Sequence, residues 1–269
     1  MSSPPRMPTL YIPHGGGPCF FMDWNPPDEW DQLEAFLRGI SATLPQTPKA
    51  ILMISAHWLS QDVALGSGKS PDLIFDYYGF PDHTYRLEYP APGSPELAAR
   101  AGQLLRAQGI ASEADAGRGF DHGMFIPLLL MFPEARIPVV QMSLLDSLDP
   151  QAHLDAGRAL EPLRDEGVLI VGSGMSFHNM RGYRDPRFAP ISDEFDAWLD
   201  HAVSAPPRER DALLAQWAAA PAARLCHPPG AEEHLLPLMV AAGAAGNDHG
   251  RTVFKDRVMQ TTVSGVRFG

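Results

Sequence analysis

Apolar residues are distributed along this chain in two rhythms. Four runs are continuously apolar: TLYI (9–12), AILMIS (50–55), IPVVQMS (137–143) and GVLIVGS (167–173). Unbroken rather than alternating hydrophobicity predicts strands covered on both faces. Between these runs the spacing turns helical. SPELAARAGQLLRAQG (94–109) opens with Ser94 as an N-cap, Pro95 in the first turn and Glu96 close behind, and stops at Gly109. DPQAHLDAGRALEPLRDEG (149–167) repeats the design with Asp149, Pro150 and Gly167. Further helices are predicted near 190–203, 207–219 and 231–244, and the tail TVFKDRVMQTTVSGVRFG (252–269) reads as late strands open to antiparallel pairing. Strands alternating with helices predict an α/β fold, a three-layer αβα domain around a mostly parallel central sheet. No linker interrupts the pattern, so residues 1–269 are expected to form a single domain.

Three of the apolar runs end in the same way. TLYIPHGGG delivers His14, ILMISAHW delivers His57, and VLIVGSGMSFHN delivers His178. Ligands of open α/β sheets bind in the crevice beyond the carboxyl ends of the strands. Histidines released there from three strands are expected to converge, with each strand serving as a rigid mount for a metal ligand. Neutral imidazole suits zinc, iron, copper and nickel, so the residue type alone does not choose the metal. Two further histidines open predicted helices: His122 in GFDHGMFIPL, between Asp121 and Gly123, and His234 in EEHLLPLMVAAGA, behind Glu232 and Glu233. His153 and His201 fall on predicted helices and are expected to face solvent. His83 lies in an aromatic-rich loop that could wall a pocket.

Charge and composition narrow the choice of partners. A net charge of −11 argues against a nucleic-acid surface, which needs basic patches. The two cysteines, Cys19 and Cys226, are too few for a disulfide framework, and MSSPPRMPTL lacks the apolar core of a signal peptide. Apolar stretches such as LLPLMVAAGAA fall short of the roughly 20 residues that span a bilayer. A reducing, cytoplasmic location with no membrane partner is therefore expected. HGGG at 14–17 is like the oxyanion loop of esterases, but no GxSxG elbow accompanies it, and GSGMS lacks the GxGxxG spacing of a dinucleotide loop.

Taken in order, PHGGGP, ISAHW, GFPDHTYRLEYPAPGSPELA, GFDHGMFIPL, IPVVQMSL, VGSGMSFHNMR and EEHLLPLMVAAGA resemble the class III extradiol ring-cleaving dioxygenases over almost the whole chain. The subgroup most similar is the one named for 4,5-DOPA extradiol dioxygenase. The resemblance implies a metal held by His14, His57 and His234. It also implies an active-site role for His178, as catalytic base or further ligand, and places His122 near the substrate. Protocatechuate-type relatives complete the site with a carboxylate, whereas the matching position here is His234, with Glu233 beside it. The implied cofactor is one divalent metal ion, Fe(II) for oxygen chemistry. Three imidazoles are equally a catalytic zinc set, so Zn(II) can occupy isolated protein. The implied substrates are O2 and a catechol such as DOPA, caffeate or protocatechuate, whose carboxylate Arg86, Arg181 or Arg184 could pair. Two other readings fit the same histidines: a zinc hydrolase, and a non-enzymatic binding protein on the same fold.

Overall fold

The computed structural model describes residues 5–269. One sheet of eight strands runs through it in the order β4-β3-β5-β2-β6-β1-β8-β7. The four apolar runs supply its centre: β1 (Thr9–Pro13), β2 (Ala50–Ser60), β5 (Val139–Leu145) and β6 (Val168–Gly174), all mutually parallel. β1 and β6 are buried along their whole lengths, as unbroken hydrophobicity requires. The tail forms β7 (Gly250–Val258) and β8 (Thr261–Phe268), which pair antiparallel with each other, while β8 pairs antiparallel with β1. On the far edge lie β3 (Val63–Gly66) and β4 (Ser112–Asp115), which the sequence pattern does not announce. Each has four residues: β4 (SEAD) is polar and partly exposed, and β3 (VALG) is apolar and buried but too short to stand out as a strand.

The helices are α1 (Asp31–Gly39), α2 (Pro95–Ala107), α3 (His122–Met131), α4 (Pro150–Leu160), α5 (Phe188–Ser204), α6 (Pro207–Ala215), α7 (Ala223–Cys226) and α8 (Leu236–Ala245). The caps read from sequence are in place. Ser94 Oγ accepts from Leu97 N at 3.2 Å and Asp149 Oδ1 from Gln151 N at 2.9 Å. α6 ends earlier than expected, and a short 3-10 turn at Trp217–Ala219 takes over. α8 starts five residues later than the 231–244 reading, with Pro237 in its first turn, so Glu233 and His234 lie in the preceding turn rather than on the helix.

Alternation along β6 sorts the layers, because successive side chains of a strand point to opposite faces. Gly172 and Gly174 face α8: a Cβ on Gly172 would lie 2.3 Å from Pro237 O, and one on Gly174 2.0 Å from His234 O. Ser173, between them, faces α3 and donates to Gly123 O. Thr9 and Tyr11 of β1 likewise face α8 and donate to Ala241 O and His234 O, at 2.8 and 2.7 Å. α8 and α3 therefore cover opposite faces of the sheet, which is the three-layer arrangement. The GSG of β6 is a packing device, because only glycine lets the Glu233–His234 turn lie directly on the strand.

No helix among the described residues is long and apolar enough to cross a membrane.

Candidate metal centre

His14, His57, His122, His178 and His234 converge at the carboxyl ends of the central strands, each delivered by a different segment. His14 extends β1 by one residue, its N–H donating to Gly174 O at 3.1 Å. His57 sits inside β2, where the pairing with β5 shifts register between Ile54 and Leu59. An irregularity of this kind re-aims a side chain. Ser55 Oγ accepts the His57 N–H at 3.2 Å, and Arg118 Nη2 donates to His57 O at 3.4 Å. His122 is the first residue of α3. His178 follows β6, its N–H donating to Cys226 O at 3.1 Å. The carbonyl of His234 accepts from Tyr11 Oη and from Met175 N, the latter at 3.0 Å.

Hydrogen bonds on the outer side of the rings set their tautomers. The Ser173 hydroxyl proton goes to Gly123 O, so Ser173 Oγ must accept from His14 Nδ1–H, 3.1 Å away. His14 Nε2 is left bare, 3.2 Å from His57 Nε2. His234 Nδ1 donates to Glu233 Oε1 at 3.0 Å, and His122 Nδ1 donates to Asp76 Oδ1 at 2.8 Å. Both rings therefore offer Nε2 as a lone pair. Asp76 Oδ1 also accepts the His122 backbone N–H at 2.9 Å and so fills the capping role at this helix start.

Asp121, although adjacent to His122, is not its partner. It is fully buried and binds Ser55 Oγ at 2.7 Å, Arg118 Nη2 at 3.0 Å and Gln141 Nε2, so it braces the segment that carries His57. Gly123 completes that brace, since a Cβ there would lie 2.7 Å from the His57 ring.

Burial favours the neutral form of His14, His57, His178 and His234. It pushes His57 down to about 3 and His178 to about 4, with neighbouring histidine charge adding to the effect. His14 and His234 are held well below the usual range for the same reasons. For Asp76, burial works upward, but the hydrogen bond and charge of His122 leave the carboxyl below its ordinary value. The Glu233 carboxyl is raised by burial.

Neutral imidazoles with inward lone pairs, backed by two carboxylates, fit a divalent cation. The rings of His14, His57 and His234 lie 4.9–5.2 Å apart, centroid to centroid, at mutual angles of 53–84°. Two donor sets lie within 4.8 Å internally: His14, His57 and His122, and His178, Glu233 and His234. The second set has a geometric restriction. His178 stacks on His234 at 3.4 Å and 13°, so an ion in the plane of one ring would lie far outside the plane of the other. The two cannot share an ion in this arrangement. His178 Nδ1 is instead buried without a hydrogen-bond partner, 3.8 Å from Glu233 Oε1.

The histidines floor a cavity of about 290 Å³ whose walls include Trp24, Phe80, Met175, Met180, Tyr183 and Met259. Phe80 comes from the aromatic loop around His83, but His83 itself is exposed and bonds Phe21 O at 2.8 Å. A larger, more open groove of about 620 Å³ lies between segments 70–75 and 87–92 and contains none of these histidines. None of Arg86, Arg181 and Arg184 lines the cavity. The expectation that His153 faces solvent is overturned: it is buried, accepting from Leu145 N at 3.0 Å through Nε2 and donating to Asp149 O at 2.6 Å through Nδ1. His201 is exposed as expected. Asp76 escaped the sequence reading altogether, because a lone aspartate in FDYYG carries no spacing signal.

The chain as a whole is similar to known proteins. The chain is 41% identical over 261 residues to a fungal protein named dioxygenase tasH, from Hapsidospora irregularis, a match covering 88% of this chain and 78% of the relative. It is 41% identical over 243 residues to 4,5-DOPA dioxygenase extradiol of Beta vulgaris (89% and 87% covered) and 35% identical to the Escherichia coli protein of that name (89% and 85%). Among solved structures, uncharacterized protein JW3007 of Escherichia coli K12 superimposes with a TM-score of 0.78 at 29% identity, covering 98% of this chain and all of the other. Residues 8–268 match the model of the catalytic LigB subunit of aromatic ring-opening dioxygenase, and with that span the chain belongs to the LigB family.

Proposed function

We propose that the protein is a metal-dependent extradiol dioxygenase opening the ring of a catechol, DOPA or a related dihydroxyphenyl compound, with both atoms of O2 entering the product. The observation that carries this reading is the convergence of five imidazoles in one apolar-walled cavity, at least three of them fixed with Nε2 bare. His14, His57 and His234 are the proposed ligands of one divalent metal, Fe(II) in the active enzyme. Their three rings are mutually inclined, as donors reaching one point from different directions must be. When bound, such an ion supplies Lewis-acid activation of the two catechol oxygens and a place for O2 beside the ring.

The chain's own groups do the rest. His178, which lines the cavity and is held neutral by burial, takes the proton of a catechol hydroxyl, and Glu233, 3.8 Å from its buried Nδ1, favours the imidazolium that results. His178 is proposed as this base rather than as a fourth ligand, because of its stack on His234. His122, with Nδ1–H committed to Asp76, presents Nε2 to the cavity and returns a proton to an oxygen as the ring opens. Trp24, Phe80 and Tyr183 hold the aromatic ring and keep water out.

Oxygen uptake by protein reconstituted anaerobically with Fe(II) tests the reading, using a panel of DOPA, caffeate and 4-methylcatechol. One O2 consumed per catechol, a yellow semialdehyde, and no uptake with Zn(II) are expected. A fully metallated protein that consumes no O2 with any of them would refute it, and activity with Zn(II) under anaerobic conditions would replace it with the zinc hydrolase. His234→Ala is expected to lose the ion and His122→Ala to keep it. The reverse would move the ion to the His14, His57 and His122 set.

A further inference from the structure

The sheet carries a second cavity at the end of its strands away from the histidines. It measures about 260 Å³ and lies between α1 with the turn after it and strands β1, β7 and β8. Thr9 and Tyr11 of β1 face α8, so Leu10, which lines this cavity, faces the opposite layer. Leu10 precedes His14 by four residues, about 13 Å along the strand, and the two cavities share no lining residue. Leu10, Phe36, Ile40 and Val253 make its walls apolar. Leu10 and Ile40 belong to the buried core, and Phe36 is fixed by stacking on Phe254 at 4.7 Å and 22°.

Two guanidinium groups enter this apolar space. Arg251 and Arg267 stand directly opposite each other in the β7–β8 ladder, and Leu10 stands opposite Arg267 in the β1–β8 ladder, so all three project from one face. Like charges directly opposite on a sheet destabilise it. No carboxylate side chain lines the cavity to offset them. Arg267 commits Nε to Gly269 O at 2.7 Å and Nη1 to Thr43 O and Oγ1 at 3.0 and 3.1 Å, which leaves Nη2 available. Burial, and then the charge of Arg251, hold the Arg267 pKa below its ordinary value. Arg251, its ladder partner, makes no side-chain hydrogen bond or ion pair among the described residues. The contrast lies on the same strand, where Lys255 and Arg257 meet Asp196 and Asp193 at 2.5 and 2.8 Å. The chain has 32 acidic residues against 21 basic ones, so a pair of cations left without an acid is not forced by composition.

We propose that this cavity is a second binding site, separate from the metal centre, for a small amphiphilic carboxylate. The anionic head bridges Arg251 and Nη2 of Arg267, and the apolar body lies against Leu10, Phe36, Ile40 and Val253. Such a ligand relieves the repulsion between the two arginines and covers apolar surface in one step.

The probe is 2-naphthoate, with uncharged 2-naphthamide as its control, each titrated calorimetrically into the protein as isolated. One saturable site is expected, about tenfold or more tighter for the naphthoate and unaffected by saturating 4-methylcatechol. Arg251 holds no other group in place, so Arg251→Gln keeps the fold and should weaken naphthoate binding about tenfold or more while leaving the amide unchanged. Gly39 lines the cavity, and no atom lies within 4 Å of a Cβ built there, so Gly39→Leu is a plug that should abolish binding of both compounds. Equal affinity for the two compounds overturns the inference, because the cavity would then be apolar without recognising an anion. Displacement by 4-methylcatechol, or binding unchanged in both variants, overturns it by placing the naphthoate elsewhere. Absence of saturable binding overturns it outright.

Discussion

Ser173→Ala removes one oxygen and tests how the site is held together. Ser173 is fully buried on β6 and serves two masters: its proton goes to Gly123 O at the start of α3, and its lone pair receives His14 Nδ1–H. Alanine fits the space without a clash, so the perturbation is purely the loss of the hydroxyl. A buried polar group left unpaired costs about 1–3 kcal/mol, and here there are two, so the loss is on the order of 2–6 kcal/mol. In a chain of this size each kcal/mol lowers the midpoint by roughly 2–4 °C, so metal-free Ser173→Ala is expected to melt about 4–24 °C below the parent. The second consequence is specific to the site. Without Ser173 the tautomer of His14 is no longer fixed, and losing such an outer partner typically weakens metal binding about 10–100-fold. Thermal unfolding in chelator measures the first effect, and titration against a chromophoric chelator measures the second. Unchanged metal affinity in a destabilised variant would show that Ser173 is only a structural bond. An unchanged midpoint as well would refute the tautomer assignment itself.

Four other outcomes follow from the same geometry. His178→Ala is expected to keep stoichiometric metal and lose turnover, and retained turnover would exclude His178 as the base. Asp76→Asn keeps an acceptor for the two His122 N–H groups but removes the charge, so kcat should fall about 10-fold or more with KM little changed; a change in KM alone would point to substrate contact instead. Gly174→Ala puts a methyl group 2.0 Å from His234 O and should push the Glu233–His234 turn off the strand, at a cost of about 1–3 kcal/mol and with loss of the metal; a variant with normal metal content would show that the turn is not seated by this contact. His227, outside the cavity, is pushed down to about 3 by burial from an ordinary 6.5. The unfolded chain takes up its proton as pH falls through 6.5 while the folded one does not until about 3, so stability is full above 6.5 and is lost between 6.5 and 3. His227→Gln should flatten that slope by up to about 1.4 kcal/mol per pH unit, read from denaturant unfolding of metal-free protein at pH 7, 6 and 5; an identical slope would mean that His227 already charges in the folded state.

The centre of the sheet was legible because the physics that buries β1, β2, β5 and β6 acts residue by residue and leaves continuous apolar runs in the sequence. The helix caps were legible for a similar reason, since Ser94 and Asp149 act on backbone groups two or three positions away. What depends on partners distant in sequence was not. His153 looked solvated because the helix pattern does not reveal that β5 ends against it, with Leu145 N bonded to its ring. β4 owes its strand character to its neighbour rather than to its own composition, and β3 is apolar but only four residues long. At the site, the strand-end histidines could be read from sequence, but the carboxylates that hold them could not. Asp121 is next to His122 in sequence but braces Ser55, whereas the carboxylate that holds His122 is Asp76, 46 residues away.

That exchange of partners bears on the charge of the centre. In the two-His, one-carboxylate arrangement an anion binds the metal directly and cancels part of its charge. The proposed ligands here are all neutral, and the carboxylates stand one bond further out. Asp76 holds His122 and approaches His57 Nδ1 at 3.9 Å, and Glu233 holds His234 and approaches His178 Nδ1 at 3.8 Å. Each carboxylate is thus shared between a proposed ligand and a proposed proton carrier. A proton arriving on His178 or His122 is stabilised by the same anion that orients the neighbouring metal-binding ring. Charge on the ion and charge on the base therefore compete for one carboxylate. On the proposed reading, a catechol that gave up its proton to His178 would bring its negative charge to the ion and so ease that competition.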